Sequence, residues 1–191
     1  MIDLTPACRR TAHTLVSVPD ELLDAATPCT DMPLRDLLAH VGMLSLAFTA
    51  AAGKELGEWT DSPPEPRPLD ADWREAYPAR LSRLAAAWQQ PGAWTGMTRA
   101  GGIDMPGETA GAVALTEVVL HGWDVAVATG QSYDLDADTA QACLDHIAQF
   151  DAAGTEGLFG PAVAVPDDAP MLQRVVARSG RNPAEWPSSR G

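Results

Sequence analysis

Apolar side chains recur at steps of three and four residues along most of this chain, whereas the strict alternation typical of strands is almost absent. The clearest series is Leu37, Val41, Leu44 and Phe48. Successive residues of a helix lie about 100° apart, so residues at these steps share one face. The pattern therefore predicts an all-α fold in which four main helices pack their apolar faces together as a bundle.

Segments rich in proline and glycine separate the predicted helices, because proline lacks a backbone donor and fixes φ. The stretches "TDSPPEPRPLD" and "QQPGAWTGMTRAGGIDMPGE" are predicted loops, and one connection of the bundle should be a long crossover. We expect residues 1–155 to form the bundle and residues 156–191 a C-terminal extension packed on it, a tail with extended chain, a short helix and an aromatic anchor. The first predicted helix begins near Thr5, which can cap it, and ends before Pro19; the second begins near Pro33. The remaining three are predicted over Leu69–Trp88, from about Thr109 to Ala128, and over Asp138–Ala152.

The formal net charge of −13 argues against some classes of partner. Nucleic acid and anionic membrane surfaces attract basic proteins, so we expect neither as a partner. No apolar run approaches the roughly 20 residues that span a bilayer, and the start "MIDLTPACRR" lacks a signal-peptide core, which favours a cytoplasmic protein. Cys8, Cys29 and Cys143 are odd in number and widely spaced, which favours small buried residues over disulfides or a Cys-rich zinc site.

Three titratable residues interrupt the apolar stretch "TEVVLHGWDVAVATG". Glu117 and His121 are four residues apart, and Asp124 follows seven residues after Glu117, so a helix presents all three on one face. His40 borders the apolar stripe of the second predicted helix, and facing helices of a bundle can bring such side chains together. His40, Glu117 and His121 would form a His₂Glu site with a position left for water or substrate, as in catalytic zinc sites.

Simpler explanations of these residues exist. Glutamate and histidine four residues apart often form an ordinary pair on a helix surface. A histidine beside an apolar stripe is more often a hydrogen-bonded core residue than a ligand. His13 and His146 are weaker candidates for a metal than His40 and His121, because an amphipathic helix explains "CLDHIAQF" without a metal.

The acidic segment "DLDADTAQACLD" imitates a calcium-binding loop. Its aspartates fall at alternate positions, but the loop needs glycine where Thr139 stands and a bidentate glutamate where Asp145 stands. Asp138 followed by Gln141 is more typical of a helix cap, so no calcium site is predicted here.

Three blocks of the chain together resemble a known family. "TPCTDMPLRDLLAHV", "TEVVLHGWDVAVATG" and "FGPAVAVPDDAPMLQRVVARSGRNPAEW" are similar in order and spacing to blocks of the actinobacterial DinB-like metal-binding proteins, which are related to the N-terminal domain of mycothiol-dependent maleylpyruvate isomerase. The resemblance implies a DinB-like four-helix bundle that holds zinc or nickel through His40, Glu117 and His121. Asp124 matches a family motif residue, which could ligate the ion, orient His121 or cap a neighbouring group.

Three hypotheses of function follow, the first of them from the resemblance. In the first, the ion binds a small thiol such as mycothiol, and the thiolate attacks a small electrophile in a transferase or isomerase reaction; Arg35, Arg80 or Arg83 could then meet an anionic substrate. In the second, the bundle is a non-catalytic metal-binding or interaction module. In the third, the polar residues are structural and no metal binds. The expected partners are small molecules, and the expected state is a monomer or homodimer.

Overall fold

A computed structural model of the protein describes residues 1–30, 32–63 and 65–186. The described residues are mostly helical, and their one sheet is a short two-stranded hairpin. The α-helices are α1 (Thr5–Val16), α2 (Leu34–Gly53), α3 (Trp73–Trp88), α4 (Gly107–Ala128), α5 (Ala137–Ile147) and α6 (Met171–Arg178); the strands are β1 (Met97–Ala100) and β2 (Ile103–Pro106); short 3₁₀ turns span Asp20–Leu22 and Pro91–Trp94.

Helices α1 to α4 form a four-helix bundle. Helices α1 and α2 each pack against both α3 and α4, so α1 lies diagonally opposite α2 and α3 diagonally opposite α4. The connections α1–α2 and α3–α4 therefore cross the bundle, while the proline-rich segment 54–72 joins the neighbours α2 and α3. The predicted all-α bundle with a long crossover is confirmed.

Helix α4 is the most enclosed element of the bundle. Residues on every side of it are buried between Ala114 and Val127, because α1 and α2 flank it in the bundle and α5 packs on it from outside. Gly122 allows α1 to come close, since a Cβ at this position would lie 2.6 Å from the Tyr133 hydroxyl and would also meet Thr11. A helix enclosed in this way holds its side chains in fixed positions, which a binding site requires.

Two helices are long and apolar enough to cross a membrane by length and composition, contrary to the expectation from the sequence. They are α2 and α4, each with a mean hydropathy of 1.3 over its most apolar window. Within the structure 67% of the α2 window and 83% of the α4 window are buried. Packing inside the bundle accounts for their apolar composition.

The loop predicted between α3 and α4 contains the β1–β2 hairpin. Its strands are antiparallel, with Ala100 opposite Ile103 and the two-residue turn Gly101–Gly102 between them. Both glycines have positive φ angles, 59° and 79°, as the tight turns of hairpins require. The prediction of a loop over this stretch was wrong, because strands of four residues are too short to give a clear periodic pattern in the sequence.

Several predicted helix ends were also wrong. Thr5 does not cap α1, whose N-cap is Leu4, and Asp136 rather than Asp138 caps α5 through the backbone N–H of Thr139. Helix ends depend on local hydrogen bonds that apolar periodicity does not report. The observed ends differ most at the start of α3 (Trp73, not Leu69), the start of α4 (Gly107, not Thr109) and the end of α5 (Ile147, not Ala152).

The C-terminal segment packs on the rest of the protein as far as residue 186. Helix α6 contacts α5, and its Val175 and Val176 are fully buried in the main core. Trp186, the predicted aromatic anchor, packs against the same core. The division of the chain at residue 155 stays a prediction, and residues 187–191 of the predicted extension lie outside the described residues.

Candidate metal centre

The predicted metal ligands meet between α2 and α4. His40 lies on α2, while Glu117 and His121 lie one turn apart on α4. Packing of α2 against α4 brings the three side chains together, so that one donor atom from each lies within 4.8 Å of the other two. The two imidazole rings are perpendicular, with centroids 4.9 Å apart.

The donor distances fit a tetrahedral ion. Donor atoms about 2.1 Å from such an ion lie about 3.4 Å from one another. Glu117 Oε2 is 3.1 Å from His121 Nε2 and 3.7 Å from His40 Nε2, so these two separations bracket that value, and the donor atoms of the two histidines lie within 4.8 Å of each other. Two imidazoles and one carboxylate are a donor set that zinc accepts, with a fourth position left for another ligand. That these three residues ligate a metal stays a prediction.

The site is open on one side. The side chains of Glu117 and His40 are 29% and 16% exposed, whereas that of His121 is 9% exposed. Solvent therefore reaches the cluster at Glu117 and His40, while His121 is the most buried of the three side chains.

Asp124 holds His121 from its other ring nitrogen. Asp124 Oδ2 is 3.1 Å from His121 Nδ1, and the aspartate is completely buried. An ionised carboxylate only accepts hydrogen bonds, so Nδ1 carries a hydrogen. The other ring nitrogen, Nε2, faces Glu117 and His40. Carboxylates hold metal-bound histidines in this way.

Arg181 fixes Asp124 in turn. Its Nε and Nη2 atoms donate to Asp124 Oδ1 and Oδ2 at 2.7 and 2.8 Å, a two-pronged ion pair. Both oxygens of Asp124 are thus engaged, which favours a role in orienting His121 over direct ligation. Arg181 lies near the end of the third block that resembles the family, in "ARSGRNPAEW". Helical spacing relates only residues of the same helix, so it could not predict that Arg181 lies close to α4.

The charges at the site stabilise one another. Burial opposes ionisation of Glu117, but hydrogen bonds with His121 and His40 lower its pKa below the ordinary value. Burial likewise opposes protonation of His121, yet Asp124 and Glu117 together raise its pKa to about 9. For Asp124, burial is outweighed by the charge and hydrogen bonds of Arg181, which lower the pKa of that carboxyl.

Cys29 differs from the other two cysteines. Cys8 and Cys143 are buried as predicted, and burial raises the pKa of each thiol to about 12. Cys29 is only half-buried in the loop before α2, and its Sγ lies within 4.8 Å of donor atoms of His121 and Asp124. The prediction of burial was wrong for this residue. Both oxygens of Asp124 already bind Arg181, so the group of His40, Glu117 and His121 suits an ion better than the group of Cys29, His121 and Asp124.

The remaining candidate residues lie elsewhere. His13 is exposed on α1, and His146 on α5 is buried with Nδ1 against the hydroxyl of Thr116, so neither joins the three predicted ligands. Of the three arginines predicted to meet an anionic substrate, Arg35 pairs with Asp24, Arg80 pairs with Asp70, and Arg83 is exposed on α3.

The fold and this cluster define a class of protein, a four-helix bundle with a candidate His₂–carboxylate metal centre between two of its helices. The family model described as the mycothiol maleylpyruvate isomerase N-terminal domain matches residues 4–126, and the chain belongs to this family. All three predicted metal ligands and Asp124 fall within the matched residues, whereas Arg181 lies beyond them.

Similar proteins are found in Mycobacterium tuberculosis. Uncharacterized protein Rv0738 of strain ATCC 25618 / H37Rv and uncharacterized protein MT0763 of strain CDC 1551 / Oshkosh are each 28% identical to the chain over 159 residues. These matches cover 83% of this chain and 81% of each relative. No solved structure matches the chain.

Proposed function

We propose that the protein binds a divalent transition-metal ion, zinc or nickel, through His40, Glu117 and His121, and that the bound ion recruits a small thiol of the mycothiol type. The observation that carries the proposal is the convergence of two imidazole nitrogens and a carboxylate oxygen from two helices at distances suited to one ion. Membership of a family whose description names mycothiol supports the thiol as the co-substrate.

The residues around the centre have distinct tasks in this proposal. A bound divalent ion lowers the pKa of a coordinated thiol, so that the nucleophilic thiolate is present at neutral pH. Asp124 keeps the Nδ1 hydrogen of His121 in place, so that Nε2 is the nitrogen that binds the ion. The partly exposed side of Glu117 and His40 admits the thiol and a small electrophile, and the protein acts as a thiol-dependent transferase or isomerase.

Metal content of the purified protein tests the first half of the proposal. Protein reconstituted with zinc or nickel and freed of loose metal should retain about one ion per chain. His40→Ala and His121→Ala should each lose most of it, because a two-ligand site holds an ion weakly. His13→Ala is the matched control, since His13 is exposed and distant from the cluster. A wild-type protein without bound metal after reconstitution would contradict the proposal.

Turnover separates an enzyme from a non-catalytic metal-binding or interaction module. The assay follows thiol-dependent consumption of epoxides, chlorinated compounds and maleylpyruvate-like acids by the metal-loaded protein. Consumption that needs both the thiol and His121 supports the transferase or isomerase. Metal binding without thiol binding or consumption would favour the module.

A further inference from the structure

We infer that Arg181 is a positioning residue of the metal centre, acting through Asp124 on His121. The inference rests on the proposed function, because it concerns how the chain prepares one of the proposed ligands. It assigns a task at the centre to the C-terminal segment, which lies outside the part of the chain matched by the family model.

The contact between Arg181 and Asp124 is built for orientation. Two parallel hydrogen bonds of 2.7 and 2.8 Å fix the plane of the carboxylate, which a single bond would leave free to rotate. Asp124 is 0% exposed and the Arg181 side chain 12% exposed, so water does not compete for these bonds. The oxygen that Arg181 Nη2 holds, Oδ2, is the one that His121 Nδ1 contacts.

The ring orientation of His121 depends on this carboxylate. If Asp124 turned away, the imidazole could place its hydrogen on either nitrogen, and the tautomer with hydrogen on Nε2 cannot bind a metal there. With the carboxylate fixed, that tautomer would set the Nδ1 lone pair against a negative oxygen. Arg181 therefore keeps the hydrogen on Nδ1, so that Nε2 is the nitrogen that exchanges its proton for an ion.

The end of α6 holds Arg181 in place. Gly180 has a φ angle of 93°, and the N–H groups of Gly180 and Arg181 donate to the carbonyls of Ala177 and Val176. This is the glycine-terminated helix end known as the Schellman motif, in which the residue after the glycine leaves in a fixed direction. Ser179 Oγ accepts a further hydrogen bond of 3.2 Å from Arg181 Nη1.

The test compares Arg181→Met, Arg181→Lys and the control Arg178→Met in the full chain. Arg178 anchors the same helix through the carbonyl of Phe150 and does not contact Asp124, so its loss reports a general effect of loosening the segment. Zinc affinity is measured by competition with a chelator. The hydrogen bond from His121 Nδ1 to Asp124 is measured by NMR of the Nδ1–H hydrogen in histidine-labelled, zinc-loaded protein, where exchange with water removes the signal of a hydrogen that Asp124 does not hold. Circular dichroism checks that each variant is folded.

Arg181→Met should weaken zinc binding about 10–100-fold, as loss of partners behind a ligand usually does. It should also remove the Nδ1–H signal of His121, because a carboxylate that Arg181 no longer fixes leaves this hydrogen to exchange with water. Arg181→Lys should weaken binding less, because it keeps the charge but not the fork. Arg178→Met should leave both readouts unchanged. If Arg181→Met does not fold, Arg181→Lys is judged against Arg178→Met by the same two readouts.

Two results would overturn the inference in different ways. If wild-type protein binds zinc and the Arg181 variants bind it no more weakly than Arg178→Met, with the Nδ1–H signal of His121 retained, Arg181 is a structural anchor and the proposed function stands. If wild-type protein binds no metal, the proposed function fails and the inference fails with it.

Discussion

His121 lies between two carboxylates, Glu117 at Nε2 and Asp124 at Nδ1, each at 3.1 Å. Without a metal, a protonated imidazole donates to both, which is why its pKa is raised to about 9 despite burial. A metal ion needs the Nε2 lone pair that this proton occupies. The ion and the proton therefore compete for the same position, and the metal-free site is held together by the proton.

Zinc binding near neutral pH should release about one proton from His121. At pH 7 the protonated form dominates, since the pH is below a pKa of about 9, whereas above that pKa no proton remains to be released. Calorimetric titrations in buffers with different ionisation enthalpies measure the number. His121→Ala is the control for nonspecific binding. Equal binding enthalpies in all buffers at pH 7 would show that no proton is displaced.

The same proton contributes to the stability of the metal-free protein. The folded pKa of His121, about 9, is above its ordinary value of 6.5, so the contribution is fully present below pH 6.5 and is lost as the pH rises through about 9.

Sequence spacing was sufficient to place Glu117, His121 and Asp124 on one face, because helix geometry alone decides that relation. His40 needed the family resemblance in addition, since spacing cannot choose which residue of another helix faces α4. Arg181 was not predicted. It is 57 positions from Asp124, and their contact depends on how α6 and the turn after it pack, which no local pattern encodes.

Helix α5 begins with an aspartate cap, and the structure and the sequence pattern assign that cap to different residues. Asp136 accepts hydrogen bonds from the Thr139 backbone N–H at 2.8 Å and from the Thr139 hydroxyl at 2.6 Å. Asp138, which the sequence favoured, lies within the first turn of the helix. Replacing each of the two aspartates in turn therefore shows which one caps the helix.

Asp136→Ala should lower the free energy of unfolding by about 1 kcal/mol, the usual cost of losing a cap, whereas Asp138→Ala should have a smaller effect. Burial raises the pKa of Asp136, but the hydrogen bonds from Thr139 outweigh it and lower the pKa below the ordinary 3.8. The contribution of Asp136 should therefore be present above that value and fade as the pH falls through the folded pKa. Urea unfolding at pH 7 and pH 3 measures both effects. An equal loss in the two variants would contradict the assignment of the cap.

The elements differ in how well the sequence predicts them. The long helices of the bundle can be predicted from apolar periodicity, because an apolar face that continues over three or more turns is stable only when it is buried against other helices. The hairpin and the helix ends depend on a few hydrogen bonds each, such as the turn at Gly101–Gly102 and the cap at Asp136. Those local choices are where the predictions were wrong.

The bundle and the C-terminal segment share one core. Val175 and Val176 of α6 belong to the same buried cluster as Val118 and Val119 of α4. The Arg181–Asp124 pair adds a polar link between the two, and breaking a buried pair by removing one partner leaves an uncompensated charge. Helix α6 should therefore not open independently of the bundle.

Native-state hydrogen exchange tests this coupling across the whole chain. The slowest amides of α6, those of Val175 and Val176, should open with free energies within about 1 kcal/mol of the slowest amides of α4, because one global unfolding exposes both. Arg181→Met should lower the value for α6 more than the value for α4, since it removes the link while leaving the bundle core intact. Arg178→Met again serves as the comparison for loosening without loss of the ion pair. Exchange of α6 at a much lower free energy than α4 in the wild-type protein would show that the segment folds onto the bundle as a separate, weaker unit.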